Sequence, residues 1–168
     1  MDVVDAIKRR RSIPRFTATD VEDAKLDLLI DLARTAPSAY NRQPWFFYVV
    51  KKVNTRNQIR KWFKAFKHIQ TAPVIIVACA DRNSKYHIHD CCLAIGNIML
   101  AAVPLGLGTH WTSPFKFAGK DPDKGIRDLL KIPPKYSVIT LISIGYPDQQ
   151  AKPKDRKLKD IKETVVKV

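Results

Sequence analysis

Three polar segments hold the side chains best suited to chemistry. The first is Arg10-Arg11-Ser12-Ile13-Pro14-Arg15-Phe16, which sets guanidinium groups beside a hydroxyl. A guanidinium fork matches phosphate oxygens in shape and charge, and a serine hydroxyl adds a donor. A solvated basic turn has the same composition. The second is Pro37-Ser38-Ala39-Tyr40-Asn41-Arg42-Gln43-Pro44-Trp45. Small hydroxyl and amide groups on a proline-stiffened loop can hydrogen-bond the polar edge of a planar heterocycle. They serve equally in a structural turn, with Ser38 and Asn41 as caps. The third is Lys154-Asp155-Arg156, two cations at alternate positions in a basic tail, which alone describes exposed charge.

Other chemistries lack support. His87 and His89 form a His-x-His pair, but no carboxylate or cysteine set accompanies them, so they read as a surface feature at a helix start and no metal site is expected. The 3 cysteines, Cys79, Cys91 and Cys92, are odd in number and include an adjacent pair. That pattern suits reduced thiols in a cytoplasmic protein, with Cys91 and Cys92 as core residues. Neither Gly-x-Gly-x-x-Gly nor a phosphate-binding P-loop is present, so a dinucleotide-binding or nucleotide-hydrolysing fold has no motif behind it. The net charge of +14, from 30 basic and 16 acidic residues, raises the question of nucleic acid. The charge is dispersed, concentrating only at Lys8–Arg11 and over residues 152–157, so a Lys-rich solvated surface is the plainer reading. A nucleic-acid-binding domain would show steep salt dependence, and it leaves the Pro37–Trp45 segment unexplained. Met1 precedes an acidic, helix-like stretch rather than a secretory signal. The longest apolar-rich segment, Cys91–Leu105, is shorter than the roughly 20 residues a membrane span needs.

The elements that must position these residues follow from periodicity. Val3, Val4 and Ile7 predict a short helix running into the basic cluster, and Pro14 then breaks the chain. Asp20 is expected to cap a helix carrying Leu26, Leu29, Ile30 and Ala33 and ending near Thr35. Residues 37–44 read as a loop or a single helical turn. Trp45–Val50 reads as a buried strand, and Asn54 or Thr55 as the cap of a helix through Phe66. Residues 73–80 form the clearest buried strand. Asp90 is expected to open a central core helix, apolar nearly all round, that runs to Leu105 and stops at Gly106 and Gly108. A strand over Leu107–Trp111, a helix over Asp123–Lys131 and a strand over Tyr136–Gly145 follow. The tail after Pro147 is polar and basic, with Val165 and Val166 as anchors. Helices thus alternate with three or four strands, as in an α/β or α+β sandwich of one domain over residues 1–168. With 45% hydrophobic and 27% charged residues the chain can bury a core.

Taken together, the three segments resemble the nitroreductase family of FMN enzymes. The family opens with Arg-Arg-Ser, an apolar residue, a basic pair and Phe. Its second signature, Pro-Ser-x-x-Asn-x-Gln-Pro-Trp, stands here without a gap. Asp90–Gly108 looks like its core helix with an internal Asn, here Asn97. Ile139–Pro147 looks like its closing strand, and Lys154-x-Arg156 like its tail. The resemblance implies an α+β, nitroreductase-like three-layer sandwich. It has a mostly antiparallel central sheet with helices on both faces. The tail over residues 147–168 would reach toward a partner subunit. It further implies that Arg10, Arg11 and Ser12 hold the FMN phosphate and ribityl chain, with Arg156 and Lys154 closing on the phosphate. Pro37, Ser38, Asn41 and Gln43 would approach the flavin ring from the partner subunit of a homodimer. Backbone groups at Thr112 and Ser113, beside Trp111, would face N5, and Lys67 would reach the N1/O2 edge.

The family commonly has a basic residue where this chain has Pro14. A cation there favours reduced flavin, so its absence implies a less oxidising cofactor unless a local shift brings Arg15 into the place. The implied activity is hydride transfer from NADH or NADPH through FMN to nitro compounds, quinones or similar small-molecule acceptors. No side chain acts as acid, base or nucleophile. The same fold also suits flavin reduction, dehalogenation or an oxidative ring reaction.

Overall fold

The computed structural model describes residues 1–113, 121–150, 153 and 156–167. Its centre is a sheet of four strands, β1 (Trp45–Val50), β2 (Val74–Asp81), β3 (Gly108–Thr112) and β4 (Tyr136–Gly145), in the spatial order β1-β2-β4-β3. All three pairings are antiparallel. β2 is apolar at nearly every position because both its faces are covered, and its side chains alternate between two cores. Val74, Ile76, Ala78 and Ala80 face one layer, and Ile75, Val77 and Cys79 face the other.

The first layer holds α2 (Asp23–Arg34) and α5 (His87–Ala101), which pack their Leu26, Leu29, Ala33, Ala94, Ile95 and Ile98 against the sheet. The second holds α3 (Val53–Trp62), α4 (Lys67–Thr71) and α6 (Pro122–Leu130), contributing Ile59, Ile69 and Ile126. Helix α1 (Val3–Arg9) leads into the arginine run, capped by Asp2 through the Asp5 N–H at 2.8 Å. The three-layer α+β sandwich expected from the sequence is therefore present, with a fully antiparallel sheet.

Several local expectations are corrected. β1 is an edge strand: only Trp45 and Val50 are buried, while Phe46 and Val49 are exposed. Asp20 does not cap α2, whose N-cap is Glu22. The helix expected to run through Phe66 stops at Trp62 and resumes as α4, because Phe63 turns inward to full burial. Neither Asn54 nor Thr55 caps it, since the N-cap is Lys52. Helix α5 begins at His87, a turn before Asp90, and ends at Ala101. It is not buried all round, since Ile88 and Leu93 are exposed within this chain. Val165 and Val166 are also exposed, so they do not anchor the tail on its own chain.

Candidate functional site

The arginine run lies against the start of β3. Ser12 forms a parallel bridge with Thr109, and the Ile13 N–H donates to the Thr109 carbonyl at 3.0 Å. Gly108 makes this approach possible. A Cβ there would fall 2.4 Å from Ile13 Cγ1 and 3.0 Å from Pro147 Cγ. The approach leaves a cleft of about 290 Å³ lined by Arg9, Arg10, Arg11, Gly108, Thr109 and Pro153, among others.

Arg156 comes to the same place from the far end of the chain. Its guanidinium donates to the carbonyls of Arg10 and, at 3.4 Å, of Ile7. Arg11 donates to the Lys8 carbonyl at 2.6 Å. None of Arg9, Arg10, Arg11 and Arg156 forms an ion pair with a carboxylate among the described residues. Burial, and then the neighbouring cations of Arg156 and Arg11, push the Arg10 guanidinium below its ordinary value. Uncompensated guanidinium groups around a half-buried hydroxyl-bearing cleft form a donor set suited to a dianionic phosphate. Ser12 is exposed beside them. Lys154, expected to join this set, lies outside the described residues.

The second segment is built differently. Ser38 Oγ accepts from the Gln43 N–H at 3.0 Å, and Gln43 Nε2 donates to Asn41 Oδ1 at 3.2 Å. Ala39–Asn41 form one 3₁₀ turn, and Tyr40, Asn41 and Gln43 all have positive φ, at 54°, 53° and 46°. Non-glycine residues in that region carry about 1–2 kcal/mol of strain each. Asp90 holds the loop from below. It is 4% exposed, and its Oδ1 accepts from the Ala39 N–H at 3.2 Å. Pro37, Tyr40, Asn41 and Gln43 are all exposed, with Tyr40 at 86%.

Within one chain the two segments do not meet. The loop rests on Asp90 in the first turn of α5, whereas the arginine cleft contacts Met99 and Val103 at the other end of that helix. At 1.5 Å per residue, Asp90 and Met99 are separated by about 13 Å along the axis. Pro37, Ser38, Asn41 and Gln43 are thus available to something outside their own arginine cleft.

Thr112 is buried at the end of β3, with Ser113 just beyond it. Trp111 is half-buried against the α2/α5 core and donates from Nε1 to Ser113 Oγ at 3.3 Å. Lys67 is exposed at the first position of α4. Asn97 of α5 donates to the Leu32 carbonyl at 3.0 Å and so ties α5 to α2. Arg15 is not free to replace a cation at position 14: its Nε lies 2.7 Å from Asp148 Oδ2. His87 Nδ1 lies 2.7 Å from the Ser84 carbonyl, and no group of three or more metal-binding side chains occurs among the described residues.

Sequence reasoning passed over one feature. His68 and His110 stack face to face with ring centroids 3.6 Å apart, and His68 Nε2 lies 2.7 Å from Thr112 Oγ1. His68 stands in Lys67-His68-Ile69-Gln70 and His110 in Thr109-His110-Trp111-Thr112, and only the tertiary packing of α4 beside β3 brings them together. The period-two spacing of His110 and Thr112 on one strand face was the available signal.

Known proteins bear on this arrangement. The nitroreductase family model matches residues 7–67 and 62–146. A protein of Methanothermobacter thermautotrophicus, provisionally assigned as an NADH dehydrogenase/NAD(P)H nitroreductase, is 35% identical over 159 residues, covering 92% of this chain and 82% of its own. The iodotyrosine deiodinase of Thermotoga neapolitana is 25% identical over 177 residues, covering 89% of this chain and 90% of its own. An FMN-dependent nitroreductase from Clostridium difficile has a solved structure that superimposes with a TM-score of 0.86 at 33% identity. That match covers 97% of this chain and 98% of the other.

Proposed function

The chain belongs to the nitroreductase family, and from that premise we propose an FMN-dependent oxidoreductase that moves hydride from NADH or NADPH to a small-molecule acceptor. The observation carrying this reading is the cleft at Gly108, where Arg9, Arg10, Arg11 and Arg156 converge without a carboxylate partner among the described residues. A single terminal phosphate suits that donor set, which favours FMN over FAD. Arg10, Arg11 and Arg156 would grip the phosphate, with Lys154 beside them, and Ser12 would hydrogen-bond the ribityl side. The backbone at Thr112 and Ser113, beside Trp111, would meet the ring at N5, with Lys67 at the N1/O2 edge.

FMN, when bound, supplies the hydride relay between donor and acceptor. The protein's own part is to hold the ring flat, orient it and exclude water. Pro14 leaves no cation at that position, and Arg15 is committed to Asp148, so the cofactor should be less oxidising than in members with a basic residue there.

The second half of the site would come from another copy of the chain. Pro37, Ser38, Asn41 and Gln43 stand about 13 Å along α5 from their own arginine cleft, by the helical rise. In a homodimer they would complete the partner's site. Exposed apolar residues support such an interface: Val3, Val4 and Ile7 of α1, Leu28 and Leu32 of α2, and Ile88 and Leu93 of α5. The tail over 147–168, with Leu158, Ile161 and Val166 exposed, would reach the partner too. Free, buried Cys79 and Cys91 are consistent with a cytoplasmic protein. Among the described residues no helix is long and apolar enough to cross a membrane.

Nitro compounds and quinones are the proposed acceptors. Reductive dehalogenation is the second reading, favoured by the likeness to iodotyrosine deiodinase. Heat release of the cofactor from purified protein, run against standards, tests the first step. FMN is expected; FAD, or no flavin after incubation with FMN, would overturn the reading. A panel of nitro, quinone and halogenated aromatic acceptors then separates the two chemistries.

A further inference from the structure

His68 and His110 bridge the two backbone anchors of the proposed flavin site. Their rings stack with centroids 3.6 Å apart and only 4° between planes. His110 Nδ1 lies 2.9 Å from the Ile13 carbonyl. A carbonyl only accepts, so the His110 proton sits on Nδ1 and donates to it. His68 Nε2 shares a 2.7 Å hydrogen bond with the Thr112 hydroxyl. Thr112 is fixed in turn, since its carbonyl accepts from Thr140 Oγ1 at 2.9 Å. One outer bond of the stack thus ends directly after Arg10–Ser12, and the other ends directly before Ser113.

We propose that the stacked histidine pair is a positioning device for the cofactor: while both rings are neutral it fixes the phosphate-gripping Arg10–Ser12 segment relative to the Thr112–Ser113 backbone, and protonation of the pair opens the stack and loosens FMN. The proposal rests on the flavin reading above.

The surroundings give an added proton no counter-charge. The segment carrying Ile13 presents Arg15, which is engaged by Asp148 at 2.7 Å. Helix α4 presents Lys67, which is exposed. Phe66 stands edge-on to His68 at 5.7 Å and 82°. β4 presents Ser143, the register partner of His110, whose buried hydroxyl has no hydrogen-bond partner among the described residues. Neither ring forms an ion pair with a carboxylate among the described residues. Burial, and then His110, hold His68 down to about 4, and burial lowers His110 against the opposing pull of the Ile13 carbonyl.

Two imidazolium rings cannot remain face to face, so protonation separates them. A protonated His110 gains an Nε2–H, and Ser143, opposite it in the strand register, carries a buried hydroxyl with no hydrogen-bond partner among the described residues. The stack then no longer ties Ile13 to Thr112. FMN affinity therefore falls as pH drops below the ordinary histidine range.

The test is the FMN dissociation constant, read from flavin fluorescence quenching between about pH 7.5 and about pH 4.5, for the wild type, His68→Gln, His110→Gln and the double variant. Ionisation of the FMN phosphate is common to all four and cancels in the comparison. The wild type should lose more affinity toward the acid end of this range than the double variant, which should bind more weakly at neutral pH but with a flatter profile. In parallel, NMR titration of the imidazole carbons should show both rings neutral down to well below about pH 6.5, titrating as one coupled unit.

FMN binding with parallel pH profiles in wild type and double variant would overturn the proposal alone. Failure to bind FMN at any pH would overturn the flavin reading and this proposal with it. Should the glutamine variants not fold, the wild-type titration with and without FMN decides. A ring that takes up its proton with FMN still fully bound contradicts the device.

Discussion

Gly108→Ala is the sharpest perturbation of the proposed phosphate cleft. The added methyl would sit 2.4 Å from Ile13 Cγ1, 3.1 Å from Ile13 Cβ and 3.0 Å from Pro147 Cγ. Carbon atoms prefer separations of about 3.5–4.0 Å, so Ile13 must retreat by roughly 1 Å or more. Ile13 is buried and β-branched, with few rotamers to escape into. The retreat must therefore involve backbone, and that backbone leads straight into Ser12, Arg11 and Arg10. Overpacking of this kind destabilises by about 1–3 kcal/mol. For a domain of this size that is about 2–12 °C in the thermal midpoint. Each charge-assisted hydrogen bond to phosphate contributes about 1.5–3 kcal/mol and depends on geometry. FMN affinity should fall roughly 10- to 100-fold, which corresponds to about 1.4–2.8 kcal/mol. Gly125→Ala separates the two effects. Its methyl would meet Trp62 at 2.3 Å, on the α3/α6 face away from the cleft. It should lower the melting temperature and leave FMN affinity unchanged. Flavin titration and thermal melting of both variants decide. A folded Gly108→Ala protein with wild-type FMN affinity would refute the placement of the phosphate beside Arg10–Ser12.

Three further predictions follow from the same geometry. Arg156→Ala removes a charge-assisted pair from the cleft and should weaken FMN by about 1.5–3 kcal/mol, whereas Lys157→Ala should matter far less; equal affinities in a titration would contradict the tail's placement. Protein stability should fall as pH drops from 6.5 toward 4, because unfolded imidazoles bind protons that the buried His68, lowered to about 4, still refuses. Its share is at most about 3 kcal/mol, present in full above the ordinary histidine pKa, and chemical denaturation of His68→Gln across pH should lack it. Finally, mixing Ser12→Ala with Ser38→Ala subunits should restore flavin binding at one site per hybrid dimer. FMN should also strengthen dimerisation by the same coupling free energy, about 1–3 kcal/mol. No recovery after proven subunit exchange would exclude a shared site.

The layers of this fold were legible because period and composition carry them. β1 and β4 fall at the expected residues, since the β-branched and aromatic run of β1 follows Pro44 and that of β4 lies between Pro134 and Gly145. What sequence missed was set by tertiary contacts. The Trp62–Lys67 break exists because Phe63 is drawn into the core of the second layer. The α2 cap moved from Asp20 to Glu22, whose carboxylate also accepts from Tyr146 at 2.7 Å and pairs with Lys25 at 3.1 Å. Helix α5 looked wholly buried because Ile88 and Leu93, exposed within this chain, are as apolar as its core-facing residues. The cation cluster was legible as Arg10, Arg11 and Arg156, though not its dependence on Gly108. The histidine stack was barely legible, since face-to-face packing of two distant residues leaves no local pattern beyond the period-two spacing of His110 and Thr112.

The most direct measurement of the central claim is anaerobic stopped-flow absorbance on the purified, FMN-loaded protein. The visible flavin band should bleach on mixing with NADH or NADPH. It should then recover on mixing with a nitroaromatic or quinone, in proportion to acceptor reduced. A protein that holds FMN but whose band neither donor bleaches, or whose reduced form no such acceptor reoxidises, would contradict the account.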